Sequence, residues 1–409
     1  MLRIAAFLFL FCITILEAQP LNVPVHAKSA ILYNPENGAI LFEKKAKEPH
    51  YPASILKIAT ALFVLDHKKV DLEKKYTASK TALEMLHADV KQADPMGFAS
   101  YILEHDGVTM GLEVGKSYEL NMLLHGLLLA SGNDAANVIA ENSSKSIDKF
   151  MDELNTYLRE KGIEQTRFHN PHGLHHPAQM TTAYDMARIA GLAFAEPLFC
   201  QIAGKKVFDS GVGKVIQNTN PLVKDGKYQY SKILGGKTGY IASAGYNLVA
   251  AAEDHGRRLV VVLLGCETSE DRFKDAITLF ESAFREKKKS RVLFSKDPEC
   301  FSREVPRASG PLKAGLNQDV AIAYFPSEEL ELEAKLIWHK LYLPIRTGKL
   351  VGKLVVSDER GNTLVTAPLF AANDLEKDSS YAWIWWVVAL AALSMGIYLT
   401  KKGAKFRKR

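Results

Sequence analysis

The stretch Tyr51-Pro52-Ala53-Ser54-Ile55-Leu56-Lys57 constrains this chain more than any other. Pro52 restricts the residue before it and cannot extend a helix backwards, so an element boundary falls there. Ile55, Ile58, Ala59, Leu62 and Phe63 then recur at helical spacing, which predicts a helix opening at Ser54. On such a helix Ser54 and Lys57 stand one turn apart on one face. A serine hydroxyl attacks poorly until a neighbouring base takes its proton. A lysine serves as that base only where burial and nearby cations keep it neutral. The pattern is cheap by itself. Ser146-Ile147-Asp148-Lys149 repeats it within an amphipathic run, and an N-cap serine beside a solvated lysine explains any single match better.

Two further short patterns change that balance. Ser131-Gly132-Asn133 ends a helix predicted from Glu119, with the glycine as the break, and Lys237-Thr238-Gly239 lies on a predicted strand after Gly235-Gly236. Each alone is nearly uninformative. The order of all three, behind a secretory-type N-terminus, points to one site assembled from three distant pieces of chain.

The intervening sequence sets the frame. Residues 27–44 predict a hairpin turning at Asn34-Pro35-Glu36-Asn37-Gly38, and 68–118 are mixed and polar. Helices are predicted from Asp134, over 146–161, 182–194 and 271–286, with His169 to Pro177 as a loop. Leu234 to Ala252 and Arg258 to Gly265 read as two long antiparallel strands. From 291 to 372 short alternating segments predict a small β domain, followed by a polar linker over 373–381.

The two ends carry the targeting signals. Arg3 and the apolar run Ile4 to Leu16 read as a signal peptide over 1–18 with cleavage after Ala18, an uncleaved anchor being the alternative. Residues 382–400 are apolar and uncharged, and nineteen residues at about 1.5 Å each reach across one bilayer core. Tyr381, Trp383, Trp385 and Trp386 crowd the start of that run as an aromatic belt. The tail over 401–409 holds six basic residues and no acid, so it is expected in the cytoplasm, with everything before the span outside.

Composition matters here only through charge and cysteine. At 409 residues, with 47% apolar and 24% charged content, the chain is expected to hold two globular domains plus accessory segments. Removing the tail's cations, Arg3 and Glu17 leaves 45 basic against 45 acidic residues, so the net charge of +6 belongs to the ends and indicates no nucleic-acid partner. Beyond the leader Cys200, Cys266 and Cys300 are an odd, scattered set, which is no disulfide framework.

With these residues in view, the sequence resembles the low-molecular-mass penicillin-binding proteins, specifically the serine-type D-alanyl-D-alanine carboxypeptidases (peptidase S11). The likeness extends to Pro52-Ala53-Ser54, Ser131-Gly132-Asn133-Asp134-Ala135-Ala136, Asn170-Pro171-His172-Gly173-Leu174, Gly236-Lys237-Thr238-Gly239-Tyr240 and Ala244-Gly245-Tyr246-Asn247-Leu248. It covers a catalytic unit over 26–288 and, more loosely, the β domain.

The resemblance implies an α+β fold, a penicillin-binding transpeptidase/β-lactamase-like domain with an antiparallel sheet flanked by helices, then the small all-β domain; the C-terminal transmembrane helix read from the apolar run departs from members that use an amphipathic anchor. It implies hydrolysis of the terminal D-alanine from peptidoglycan stem pentapeptides through an acyl-enzyme on Ser54, with β-lactams as covalent inhibitors and no cofactor. Lys57 would be the base, Ser131 the proton relay, and Asn133 the holder of the substrate amide. Lys237, Thr238 and Gly239 would bind the carboxylate side, and the backbone N–H groups of Ser54 and Tyr240 would form the oxyanion hole. Arg272 would assist with the terminal carboxylate, with helix capping as its alternative role. The expected location is the inner membrane, with the catalytic domain periplasmic. Alternatives are an endopeptidase that cuts cross-links and a catalytically silent wall-binding protein.

Some residues argue for restraint. Leu56 and Ile241 replace threonines that are usual in the family, which puts fine positioning in doubt. His169, His172, His175 and His176 invite a zinc reading, but no acidic ligand stands beside them, so no metal is assigned. Met151-Asp152-Glu153-Leu154-Asn155 is similar to a class A β-lactamase deacylation motif, with methionine where the catalytic glutamate belongs, so an efficient β-lactamase is not expected.

Overall fold

Continuous apolar strands and amphipathic helices assemble around the expected site in a computed structural model of the chain. The structure describes residues 10–12, 19–67, 70–94, 96–210, 214–328, 331–358, 360–378 and 386–391. Two compact units form: Ala18–Lys287 with Phe325–Glu329, and Met1–Glu17 with Lys288–Tyr324 and Leu330–Arg409.

The first unit is built on a five-stranded antiparallel sheet. Its strands are β1 (Ser29–Tyr33), β2 (Ile40–Lys44), β3 (Ile233–Ile241), β4 (Gly245–Asp254) and β5 (Arg257–Cys266), in the order β3-β4-β5-β1-β2. Leu259 to Leu264 is an unbroken apolar run, as a strand covered on both faces requires, and every residue of it is buried. Helix α8 (Asp271–Phe284) covers one face through Phe273, Ala276, Leu279 and Phe280. The other face packs under α1 (Lys57–His67), α3 (Leu120–Leu128), α4 (Asn133–Ser144), α5 (Ile147–Glu160), α6 (Ala183–Ala195) and α7 (Pro197–Ala203). The short helix α2 (Ala88–Ala93) lies in the polar stretch before them. Strand β3, which carries Lys237-Thr238-Gly239, is therefore a sheet edge, with its second side open to the site.

Two expectations need correction. The predicted strand Leu234 to Ala252 is two strands, because the chain turns at Ala242–Ala244, where the Ala244 N–H donates to Ile241 O at 3.0 Å. Gly245, at φ +70°, completes the reversal, and hydropathy does not mark a turn of small residues with a single serine between two alanines. The sequence after the 182–194 helix reads as polar, strand-like segments, yet α7 forms there first, with Pro197 at its first position and Glu196 accepting the Leu198 N–H.

In the second unit, residues over 289–371 form antiparallel strands. The larger sheet runs Leu10–Cys12, Leu332–Trp338, Leu350–Asp358, Thr363–Ala371, Leu312–Gly315, Phe301–Arg303, and a separate pair joins Lys289–Phe294 to Val320–Tyr324. Leu312, Val351, Leu354, Val356 and Leu369 fill its core. Leu10–Cys12 belongs to the expected leader and pairs with Glu333 to Lys335; the rest of the leader lies outside the described residues. Of the expected span over 382–400 only 386–391 are described, as an exposed helical segment, and the basic tail lies outside. Among the described residues no single helix is long and apolar enough to cross a membrane.

Candidate active site

The nucleophile's turn departs from the predicted helix. Ala53–Leu56 is a 3₁₀ turn, and the α-helix starts only at Lys57. Three residues per turn eclipse positions i and i+3, which brings Ser54 Oγ to 2.9 Å from Lys57 Nζ. Ala53 is held at φ +51°, a conformation costly for a residue with a Cβ. Asn247 enforces it by donating from Nδ2 to the carbonyls of Tyr51 (2.9 Å) and Pro52 (3.0 Å). Gly239 passes so close that an added Cβ would sit 3.0 Å from the Ser54 nitrogen.

Lys57 is fully buried and donates to Asn133 Oδ1 at 2.7 Å and to the His172 carbonyl at 2.6 Å. A neutral amine has two hydrogens and one lone pair. In the neutral form those acceptors would take both hydrogens and leave the lone pair toward the Ser54 hydroxyl. Burial first, and then the nearby Lys237, hold Lys57 well below the usual lysine range, while Asp134 pulls the other way. Asp134 is fixed by the N–H groups of Met110 (2.8 Å), Leu112 (3.1 Å) and Ala135 (2.9 Å).

Lys237 is 1% exposed and donates to the Thr238 carbonyl at 2.8 Å. Burial, followed by Arg272, pushes it down to about 7. Thr238 is half-buried and Gly239 buried on the same edge strand. Tyr240 is exposed and stacks on Tyr246 at 4.4 Å. Arg272 braces the strands: it donates to Gly239 O and Asn247 O at 3.1 Å each, and to Ser269 O (3.2 Å) and Oγ (3.0 Å). Those bonds use four of its five N–H hydrogens. Ser131 turns the chain from α3 into α4 at φ +65°, and its hydroxyl makes no hydrogen bond to another described residue. Asn133, two residues on, makes the contact with Lys57.

The structure therefore brings Ser54, Lys57, Asn133 and Lys237 together, with Arg272 behind the edge strand and Ser131 in the turn beside Asn133. Roles for Asn247 and for the backbone of His172 were not read from the sequence, although both lie in the segments that carry the family likeness. The second serine–lysine match is an ordinary cap: Ser146 Oγ accepts the Lys149 N–H at 3.2 Å, and Lys149 is exposed. The His169 and His176 rings stack at 4.3 Å, and among the described residues no group of three metal-ligating side chains forms.

A serine facing a buried, depressed lysine, completed by an asparagine and a second buried lysine from remote segments, defines an acyl-serine hydrolase of the penicillin-binding type. The family profile described as D-alanyl-D-alanine carboxypeptidase (peptidase S11) matches residues 15–268. DacC of Escherichia coli is 29% identical over 93% of this chain and 92% of its own length. DacB2 of Mycobacterium tuberculosis is 32% identical over 66% of this chain and 87% of its own. The solved structure of penicillin binding protein 5 from Haemophilus influenzae is 25% identical, covers 88% of this chain and all of its own, and superposes with a TM-score of 0.60. The chain belongs to the D-alanyl-D-alanine carboxypeptidase family, peptidase S11.

Proposed function

We propose that this protein is a serine D-alanyl-D-alanine carboxypeptidase that removes the terminal D-alanine of peptidoglycan stem pentapeptides. The observation that carries the reading is the buried Lys57 amine at 2.9 Å from Ser54 Oγ with both its other directions occupied. Lys57 takes the Ser54 proton as Oγ bonds to the carbonyl carbon between the two D-alanines. The C–N bond then breaks, and the proton passes by way of Ser131 to the departing amine. Ser131 suits that role because its hydroxyl makes no hydrogen bond to another described residue. Positioned proton transfer of this kind contributes roughly 10²–10⁴-fold. The backbone N–H groups of Ser54 and Tyr240 receive the oxyanion.

Lys237 and Thr238 attract the terminal carboxylate, and Arg272 would assist from behind the edge strand, where it holds Gly239 O. Water releases the acyl group, whereas a β-lactam leaves Ser54 trapped. Fluorescent penicillin is expected to label the wild type and not Ser54→Ala, with Ser146→Ala unchanged; label retained in Ser54→Ala would sink the reading. Chromatography of pentapeptide and cross-linked muropeptides after incubation distinguishes carboxypeptidase from endopeptidase.

The ends of the chain support an export and anchoring reading. A cleaved leader, a small β domain as a spacer and a C-terminal span with a cytoplasmic basic tail would hold the site on the periplasmic side of the inner membrane. Fractionation with and without residues 382–409 tests it: label that stays in the membrane fraction after the deletion would refute the anchor.

A further inference from the structure

We propose that the loop Asn170–Leu174 aims the base, and that His172 is a positioning residue acting through its own backbone carbonyl on the Lys57 amine. The proposal rests on the acyl-serine reading. It gives a purpose to the Asn-Pro-His-Gly-Leu segment, which that reading leaves without one.

Two successive carbonyls of this loop grip two successive turns of α1. Thr60 Oγ1 donates to Pro171 O at 2.7 Å, and Lys57 Nζ donates to His172 O at 2.6 Å. The direction of the second carbonyl is fixed from several sides. The His172 ring is wholly buried; its Nδ1 accepts the Leu174 N–H at 3.1 Å, and its Nε2 stands 3.2 Å from Tyr101 O. Those partners select the neutral tautomer that carries its hydrogen on Nε2. Asn170 closes the loop by accepting the Gly173 N–H at 2.7 Å and donating to Leu174 O at 3.0 Å. Gly173, at φ +93°, leaves no room for a Cβ, which would lie 2.1 Å from Ala53 O. The ring is thus a strut between its own loop and the segment holding Tyr101.

The consequence falls on the lone pair. With the carbonyl in place, the neutral amine gives one hydrogen to His172 and one to Asn133 and turns its lone pair to Ser54. If the carbonyl swings away, that hydrogen seeks Ser54 Oγ instead and the lone pair is misdirected. The carbonyl also stabilises the ammonium form more than the amine, so losing it lowers the lysine pKa further. The other groups facing these two side chains stay in place: Lys237 from β3 and Asp134 from α4 around Lys57, and Lys91 from α2 beside His172.

The test uses the full chain with His172→Leu, His172→Gln and Thr60→Val, reading the penicillin acylation rate against pH together with thermal melting. His172→Leu is expected to lower the plateau rate on the order of 10- to 100-fold and to move the acid limb to lower pH. His172→Gln, which returns an amide donor and acceptor, recovers part of both, and Thr60→Val shifts both in the same direction by less. Folded variants with an unchanged plateau and limb overturn the proposal, as does a lowered plateau with an unmoved limb. Disappearance of the acid limb also overturns it, since His172 would then be the titrating group. If His172→Leu fails to fold, the other two variants decide. Failure of the underlying reading looks different: the wild type takes no label, or Ser54→Ala takes as much.

Discussion

Lys57 and Lys237 are two lysines buried in one pocket, and Lys237 helps hold the Lys57 amine below its ordinary range. An unfolded lysine titrates near ~10.4, whereas folded Lys237 is held at about 7. Between those values the unfolded chain binds more protons, so stability rises with pH across the window, and the penalty for burying Lys237 is fully present below it. Lys237→Met is therefore expected to raise the melting temperature below pH 7, with the gain fading to nothing by roughly pH 10. Penicillin acylation is expected to fall in the same variant. A gain indifferent to pH, seen by melting across that range, would show that the amine is not what costs stability.

At the level of elements, the site depends on backbones that approach too closely for side chains. Gly173→Ala places a methyl against the Ala53 carbonyl at positive φ, and a loss of about 2 kcal/mol or more in denaturant unfolding is expected. Gly239→Ala meets its neighbours at 3.0–3.1 Å, so a smaller loss of stability with a clear loss of acylation is the expected pattern. The longer helices and the three short motifs were legible in the sequence because apolar periodicity and side-chain chemistry are written residue by residue; the short helices α2 and α7 were not. The turn at Ala242–Ala244 was not, since it interrupts two strands with residues no more polar than theirs. Nor was the part played by His172 and Asn247. The His172 contact uses a carbonyl that every residue possesses, and Asn247 serves the turn before Ser54 from the opposite end of the unit's sequence. The 3₁₀ opening at Ala53 was equally hidden, because its geometry comes from Asn247, Gly173 and Gly239 pressing on it, not from local propensity.

For the molecule as a whole, the first unit is not a continuous stretch of chain. Phe325–Glu329 belongs to it, and Glu328 is buried there with its carboxylate accepting from Arg257 Nε at 2.6 Å and from Asn34 and Asn37 at 2.9 Å each. Arg257 also donates to Glu286 at 3.0 Å and lies over the Phe325 ring. Breaking a buried pair by removing one charge costs about 3–5 kcal/mol in general, and Glu286 offsets part of it here. Glu328→Gln is accordingly expected to cost about 2–4 kcal/mol in chemical denaturation. A fragment ending at residue 288 should melt earlier than the full chain even though it holds every expected catalytic residue. An unchanged midpoint in both would show that the segment is passive.

Ser54, Asn133, His172 and Lys237 come from four remote parts of the polypeptide, and none of their chemistry exists in any one of them. Pairings between such distant positions are the slow, late events of folding. A newly made chain is therefore chemically mute until folding is complete: the hydroxyl stays inert while it could still react indiscriminately, and reactivity arrives together with the selectivity that restrains it.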